Sequence, residues 1–270
     1  MVSNVNKIAK TSLLLMLGHV FGHSFSLLRN AIFGHLLSPQ DFGIAATFAI
    51  TVSFIEIAGD MGSDKLLVQA KDGNDTRLQN NAQLFTVLRG IMSSILLLIA
   101  APYVAMLFNI PQAQSAFSLL ALVPLIRGFI HFDVKRFQRE LRFFPNLYAE
   151  LIPQFISFLL AFPIVFIKTD YSAVIYLILL QSLLLVLMTH LLAKRDYKIS
   201  FDQQIFKRIV EFGWPLMINA VLMFFVYQGD KFIIGAYYDI EKLGVYSAAF
   251  MLTMAPALLV SRVLNSIILP

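Results

Sequence analysis

The most chemically distinctive residues of this sequence are charged or polar side chains inside long apolar segments. Arg29 and Asn30 stand in one such segment, and Asp230 and Lys231 stand side by side in another, within VYQGDKFIIGAYY. Charged groups are costly inside a membrane, so they are by default candidates for a functional site. A guanidinium binds phosphate or carboxylate through two hydrogen bonds, and an ammonium acts as a compact positive charge. These four residues therefore favour a binding site for an anionic group.

Two other interpretations of these residues stay open. An Arg29–Asp230 ion pair would pin two helices together without binding a ligand, or would hold the site while it is empty. Long cationic side chains near a helix end can also extend to the membrane interface. Adjacent residues on a helix point about 100° apart, so Asp230 and Lys231 do not face each other.

A second group of polar residues follows helical spacing near the start of the chain. His19, His23, Ser26 and Asn30 lie on one face of a predicted helix. The two histidines are four residues apart, but no HExxH pattern accompanies them, so the sequence predicts no metal site. We expect hydrogen-bonded packing here, with proton coupling through His19 or His23 as the alternative.

Acidic residues on the next predicted helix form a third candidate group. Glu56 and Asp60 share a face in the inner half of the membrane, at a depth similar to that of Arg89 and Arg127. The favoured interpretation is an ion pair between Glu56 and one of these arginines. As alternatives, Glu56 and Asp60 bind a coupling cation, and Arg89 and Arg127 receive a phosphate on the cytosolic side. With no Cys and no metal motif, no cofactor is predicted.

The composition indicates the elements that must hold these residues. Of 270 residues, 58% are hydrophobic and only 14% are charged, against about 25% charged in an ordinary soluble domain. A membrane helix needs about 20 mostly apolar residues, and no segment shows the alternation of a strand. We therefore predict an all-α polytopic membrane protein with about eight spans: 11–36, 40–63, 82–108, 113–134, 146–167, 171–193, 212–237 and 241–268.

The distribution of positive charge predicts the orientation of these spans. With the N-terminus in the cytosol, 14 of the 21 Lys and Arg residues fall in cytosolic stretches and only two, Lys168 and Lys242, fall in outside loops. The positive-inside rule favours this topology. It also accounts for the net charge of +5 without a nucleic-acid partner, and it points to contact with membrane lipids. We expect residues 194–211 to be amphipathic and to lie on the inner interface.

A weak internal repeat divides the chain. At an offset of 201 residues, Arg29-Asn30 falls on Asp230-Lys231, and Gly34 and Gly43 fall on Gly235 and Gly244. Transporters are often built from such repeats, with the substrate between them. We predict one six-helix lobe over 1–198, then an amphipathic linker and two helices of a second lobe over 199–270. By this period the second lobe is incomplete, so we expect a truncated chain.

Several motifs resemble one family. GDKFIIGAYYDIEKLGVYSAAF at 229–250, LLSPQDFGIAATF at 36–48, RFQRELRFFPNLYAEL at 136–151 and EFGWPLMIN at 211–219 are similar to sequences of the polysaccharide and O-antigen-type flippases. These belong to the multidrug/oligosaccharidyl-lipid/polysaccharide exporter superfamily, whose members typically have twelve or more helices.

The resemblance implies an inner-membrane flippase for an undecaprenyl-pyrophosphate oligosaccharide, working by alternating access beside a polymerase and glycosyltransferases. For such a substrate, the polar residues within the apolar segments are our candidates for the pyrophosphate and glycan cavity: Arg29, Asn30, Asp230, Lys231, Arg89 and Arg127. A multidrug exporter is an alternative, although it would favour an acidic cavity. A non-functional fragment is another. The outside loops are too short for a catalytic domain and no enzyme motif is present, so we predict no enzyme.

Overall fold

The computed structural model describes residues 2–253 and, within that range, every side chain except those of residues 2–17 and 19. The described residues form helices and contain no strand. The helices are α1 (Val2–Leu36), α2 (Pro39–Ala58), α3 (Ser63–Gln69), α4 (Thr76–Leu107), α5 (Gln114–Leu120), α6 (Leu122–Arg127), α7 (Asp133–Arg139), α8 (Phe144–Ile167), α9 (Ser172–Leu192), α10 (Gln203–Tyr237) and α11, described over 240–253; Pro111–Ala113 form a 3-10 turn.

Five of these helices, α2, α4, α8, α9 and α10, are long and apolar enough to cross a membrane. The chain is therefore an all-α polytopic membrane protein, as predicted. We call the end of the bundle that carries residues 59–75, 128–143 and 193–202 the basic end, and the opposite end the short-loop end. The eighth predicted span, 241–268, extends beyond the described residues.

The fourth predicted span, 113–134, is shorter than expected. It consists of α5 and α6, which meet at a turn at Ala121, and the helix stops at Arg127. Pro124 has no N–H to donate to the carbonyl of Leu120, which weakens the helix at this turn. Arg127 is thereby the last residue of a short helix, and α7 is a separate element at the basic end.

The linker also differs from the prediction for 194–211. Residues 193–202 have no helix and lie along α4, where the Gln83 amide donates to the Lys198 carbonyl at 2.6 Å. The Asp202 side chain then caps α10 by accepting from the backbone N–H groups of Gln204 and Ile205. Residues 203–211 are therefore the first turns of one 35-residue helix rather than a separate interfacial segment.

Two apolar cores meet on α2. One joins α2, α4, α5 and α6 with the α10–α11 turn, around the edge-on pair Phe48 and Phe117. The other joins α1, α2, α8 and α9, around Phe33 and Ala161. With these faces of α2 covered, the side of the helix that carries Ser53 and Glu56 lines a cavity.

The two α-hairpins related by the sequence repeat pack against each other reciprocally. A Cβ on Gly43 would lie 1.9 Å from the carbonyl oxygen of Ile240, and a Cβ on Gly244 would lie 2.1 Å from that of Pro39. Gly43 corresponds to Gly244, and Pro39 to Ile240, at the 201-residue offset. The α1–α2 and α10–α11 turns thus approach backbone to backbone, which only glycine allows at these positions.

Candidate functional site

A cavity of about 490 Å³ lies between α1, α2, α9, α10 and α11. We call it the central cavity. Its wall takes corresponding residues from both copies of the repeat: Asn30 and Lys231, Ala46 and Ser247, Ala49 and Phe250. The site therefore sits where the two hairpins face each other, beneath their contact at the short-loop end.

Arg29 reaches the central cavity from α1 and is held by contacts to α8 and α9. Its Nη1 donates to Ser157 Oγ at 2.9 Å and to Gln181 Oε1 at 2.5 Å. Its Nε is buried and has no hydrogen-bond partner among the described residues. A buried donor without a partner costs roughly 1–3 kcal/mol, and an acceptor in the cavity would relieve that cost.

Lys231 reaches the same cavity from α10. Its Nζ donates to Gln228 Oε1 at 3.1 Å and lies 4.1 Å from the centre of the Phe250 ring. Both partners also line the cavity. Both partners are uncharged, so no carboxylate among these contacts neutralises the Lys231 side chain.

Asp230 turns away from this site. The Asp230 carboxylate accepts a hydrogen bond from the hydroxyl of Tyr246 on α11. Asp230 does not line the central cavity. The structure therefore does not form the Arg29–Asp230 pair that the sequence suggested. Adjacent residues on a helix point about 100° apart, so placing Lys231 in the cavity directs Asp230 toward α11.

Glu56 and Arg127 form the ion pair that the sequence favoured, at the end of the central cavity nearer the basic end. Arg127 Nη1 contacts both carboxylate oxygens, at 2.6 and 2.8 Å, and its Nε donates to Ser182 Oγ at 3.0 Å. About a quarter of each side chain is exposed. The pair joins α2 to α6 and neutralises the acid in this wall.

Asp60 and Arg89 lie further toward the basic end. Arg89 Nη1 is 3.4 Å from Asp60 Oδ1, and Lys65 Nζ is 3.8 Å from Asp60 Oδ2. Asp60 and Arg89 line a second cavity of about 350 Å³, which Glu56 and Arg127 also line. Arg89 is therefore remote from Arg29 and Lys231, and the predicted cations divide between two cavities.

The histidine stripe is only partly described. His23 is exposed and lines a small pocket with Glu150 and Gln154, whereas the His19 side chain lies outside the described residues. No group of three or more His, Asp or Glu side chains in the described part of the chain could hold a metal ion.

A buried ionic network closes the basic end. Asp133 is fully buried, receives Arg136 Nε at 2.6 Å and accepts the backbone N–H of Lys194 at 2.7 Å. Burial opposes its ionisation, but these hydrogen bonds hold the pKa of Asp133 below its usual value. Burial, with repulsion from His190, lowers the pKa of the neighbouring His131. This network anchors the linker after α9.

Sequence reasoning missed the polar partners that orient the cations. These partners are Ser157 on α8 and the adjacent Gln181 and Ser182 on α9, each of which contacts an arginine. A single amide or hydroxyl in an apolar span was the available signal. The sequence did not indicate which arginine each of these side chains contacts, because the contacting residues are more than 50 positions apart in the chain.

Comparison with known proteins identifies the family. The chain is 22% identical to the teichuronic acid biosynthesis protein TuaB of Bacillus subtilis (strain 168) over 242 residues, which are 89% of this chain and 50% of that protein. The chain thus spans about half the length of this curated relative. No solved structure matches the chain significantly. The family model described as polysaccharide biosynthesis protein matches residues 32–270, and the chain therefore belongs to the polysaccharide biosynthesis protein family.

Proposed function

We propose that this protein moves a lipid-linked oligosaccharide from the inner to the outer leaflet of the bacterial plasma membrane. The lipid would be a polyprenyl diphosphate such as undecaprenyl-pyrophosphate, and the glycan would be a precursor of a surface polysaccharide such as O-antigen. Glycosyltransferases would supply this substrate and a polymerase would use it. Membership of the polysaccharide biosynthesis protein family supports the pathway, and the multi-pass helical architecture supports a membrane role.

One observation favours a diphosphate above other ligands: Arg29 and Lys231 face the same cavity from the two copies of the repeat. Neither side chain forms an ion pair among the described residues, and Glu56, the one acid of the described cavity lining, is neutralised by Arg127. The wall is therefore positively charged overall. Arg29 would bind the diphosphate through hydrogen bonds of fixed direction. Lys231 would give up its contacts with Gln228 and Phe250 and bind the diphosphate as a point charge.

The proposed movement follows from the position of this site between two hairpins. Charged headgroup and sugars would occupy the polar cavity while the polyprenyl chain stays in lipid, because apolar tails gain nothing by entering a polar site. Alternating access would then open the cavity to each side in turn by rocking one half against the other. Glu56, Asp60 and the two histidines are the candidate coupling groups.

The alternative is a multidrug exporter for organic cations. A cation would have to enter a cavity in which Arg29 and Lys231 repel it, so the charge of the described lining disfavours this function. No catalytic step is part of the proposal.

Transport in vesicles tests the proposal. The protein would be reconstituted with a fluorescent polyprenyl-diphosphate oligosaccharide, and transfer between leaflets measured for wild type, Arg29→Ala and Lys231→Ala. Losing one charge-assisted contact lowers transport about tenfold or more in each variant. Lys242→Ala, an exposed cation at the short-loop end, is the matched control. Wild-type rates in both cavity variants, or transport of a cationic dye instead, would refute the proposal.

A further inference from the structure

The Glu56–Arg127 pair stands where three cavities meet. Arg127 lines the central cavity, the 350 Å³ cavity that contains Asp60, and a third cavity of about 310 Å³ that contains Lys135 and Glu150. Glu56 lines the first two. Any charged group passing between the central cavity and the basic end through these spaces must therefore pass this pair.

We propose that Glu56 is an exchangeable counter-ion: a diphosphate replaces its carboxylate on Arg127, and Glu56 then takes up a proton from the cavities at the basic end. This proposal rests on the proposed function and adds a second diphosphate position with a link to protons. The anion forms new hydrogen bonds to the guanidinium as the carboxylate releases it, and the proton comes from bulk water.

The geometry of the pair permits this exchange. One nitrogen, Nη1, contacts both oxygens of Glu56, while Nε donates to Ser182. If Glu56 is released, the hydrogen bond to Ser182 therefore still holds the Arg127 side chain against α9. Both side chains are about a quarter exposed, so an anion can reach the guanidinium without unfolding the surrounding helices.

The charges around the pair explain why a proton would follow. A diphosphate and an ionised Glu56 sharing one guanidinium would repel each other in a partly dehydrated site, and like charges at such distances favour protonation of one of them. Other acids near the pair have cations of their own. Asp60 pairs with Arg89, and Asp64 and Glu150 both lie within 4 Å of Lys135. Glu56 is thus the acid that loses its partner.

Charged groups from most of the surrounding helices line the three cavities around the Glu56–Arg127 pair. The titratable and charged groups that line the three cavities are Arg29 on α1, Glu56 and Asp60 on and after α2, Asp64 on α3, Arg89 on α4, Arg127 on α6, Lys135 on α7, Glu150 on α8 and Lys231 on α10. Helix α9 contributes the uncharged Gln181, Leu185 and Thr189 to these walls, and Ser182 to Arg127.

Because binding free energies are reciprocal, protons and diphosphate should strengthen each other's binding. Inorganic pyrophosphate is the probe. Its binding to the full chain in lipid nanodiscs would be measured by calorimetry at pH 7.5 in HEPES and in Tris, whose ionisation enthalpies differ. The difference in heat gives the protons taken up per pyrophosphate. Wild type would be compared with Glu56→Gln and with Glu211→Gln, a control acid on α10 that lines none of the three cavities and pairs with Lys207.

We expect Glu56→Gln to bind pyrophosphate about tenfold more tightly, since no carboxylate competes for Arg127. We also expect it to take up fewer protons than wild type, whereas Glu211→Gln should match wild type. If Glu56→Gln instead binds equally or more weakly and takes up as many protons as wild type, Glu56 only pins α2 to α6 and the exchange is wrong.

The binding measurements on these variants distinguish failure of the exchange at Arg127 from failure of the proposed transport function. Pyrophosphate binding that is lost in Arg29→Ala but unaltered in Glu56→Gln would overturn the exchange and leave the proposed anion site intact. No binding of pyrophosphate to wild type would overturn both. A thermal unfolding curve for each variant would show whether the protein remains folded during these measurements.

Discussion

Replacing Gly43 with Ala tests the contact between the two hairpins. The added Cβ would lie 1.9 Å from the carbonyl oxygen of Ile240, whereas carbon and oxygen atoms normally stay about 3.3 Å apart. The turns must therefore separate by more than about 1 Å, and overpacking of this kind typically costs about 1–3 kcal/mol. Gly244→Ala should cost a similar amount, because its Cβ would lie 2.1 Å from the Pro39 oxygen.

The double variant distinguishes one shared contact from two independent ones. Once the turns have separated to admit one Cβ, the other Cβ meets less resistance, so the two destabilisations should add to less than their sum. The assay is chemical unfolding in detergent micelles, followed by far-ultraviolet circular dichroism and by the fluorescence of Trp214, the single tryptophan. A coupling of about 0.5–3 kcal/mol is expected for residues in contact.

Gly229→Ala is the matched control. A Cβ at Gly229, inside α10, would meet no atom within 4 Å. The same substitution there should stabilise the helix by about 0.5–1 kcal/mol, since alanine loses less backbone freedom than glycine. Strict additivity of Gly43→Ala and Gly244→Ala, or no destabilisation by either, would refute the reciprocal packing.

Two further predictions concern the basic end. Asp133→Asn removes the buried anion that Arg136 Nε contacts and leaves Arg136 only its pair with Glu140, so the free energy of unfolding should fall by about 1.5–3 kcal/mol, the usual value of a hydrogen bond to a charged group; a loss below about 1 kcal/mol in the same unfolding assay would contradict this. The lowered pKa of His131 means that the unfolded chain binds more protons than the folded one, so stability should fall as pH drops through about 6.5, the unperturbed value. Unfolding measured between pH 7.5 and 5.5 should show this slope in wild type and a smaller slope in His131→Gln, and equal slopes would remove His131 as its cause.

The sequence predicted most of the helices because apolar length is a local property. The spans 82–108, 146–167, 171–193 and 212–237 fall on long helices, and 40–63 does so up to Ala58, where α2 ends before the turn at Gly59–Gly62. The fourth span and the linker were less predictable. Whether Pro124 bends or ends a helix depends on its neighbours, and here α6 lies so close to α4 that a Cβ on Gly90 would be 2.6 Å from the Pro124 oxygen.

The candidate site was predictable by residue type but not by partner. Arg29, Asn30, Lys231, Glu56 and Arg127 were all chosen as costly polar groups in apolar segments, and all of them line the central cavity. Asp230, chosen on the same ground, instead accepts a hydrogen bond from Tyr246.

By itself, the sequence determined that this protein is a multi-pass helical membrane protein and which charged residues stand in its apolar segments, because both follow from the cost of moving each side chain out of water. Only the tertiary structure decided which of these charges meet. Side-chain contacts such as Arg29 with Gln181 depend on the rotation and spacing of helices far apart in sequence. Those are set by the packing of whole apolar faces and by close approaches such as Gly43 to Ile240, which no single segment specifies.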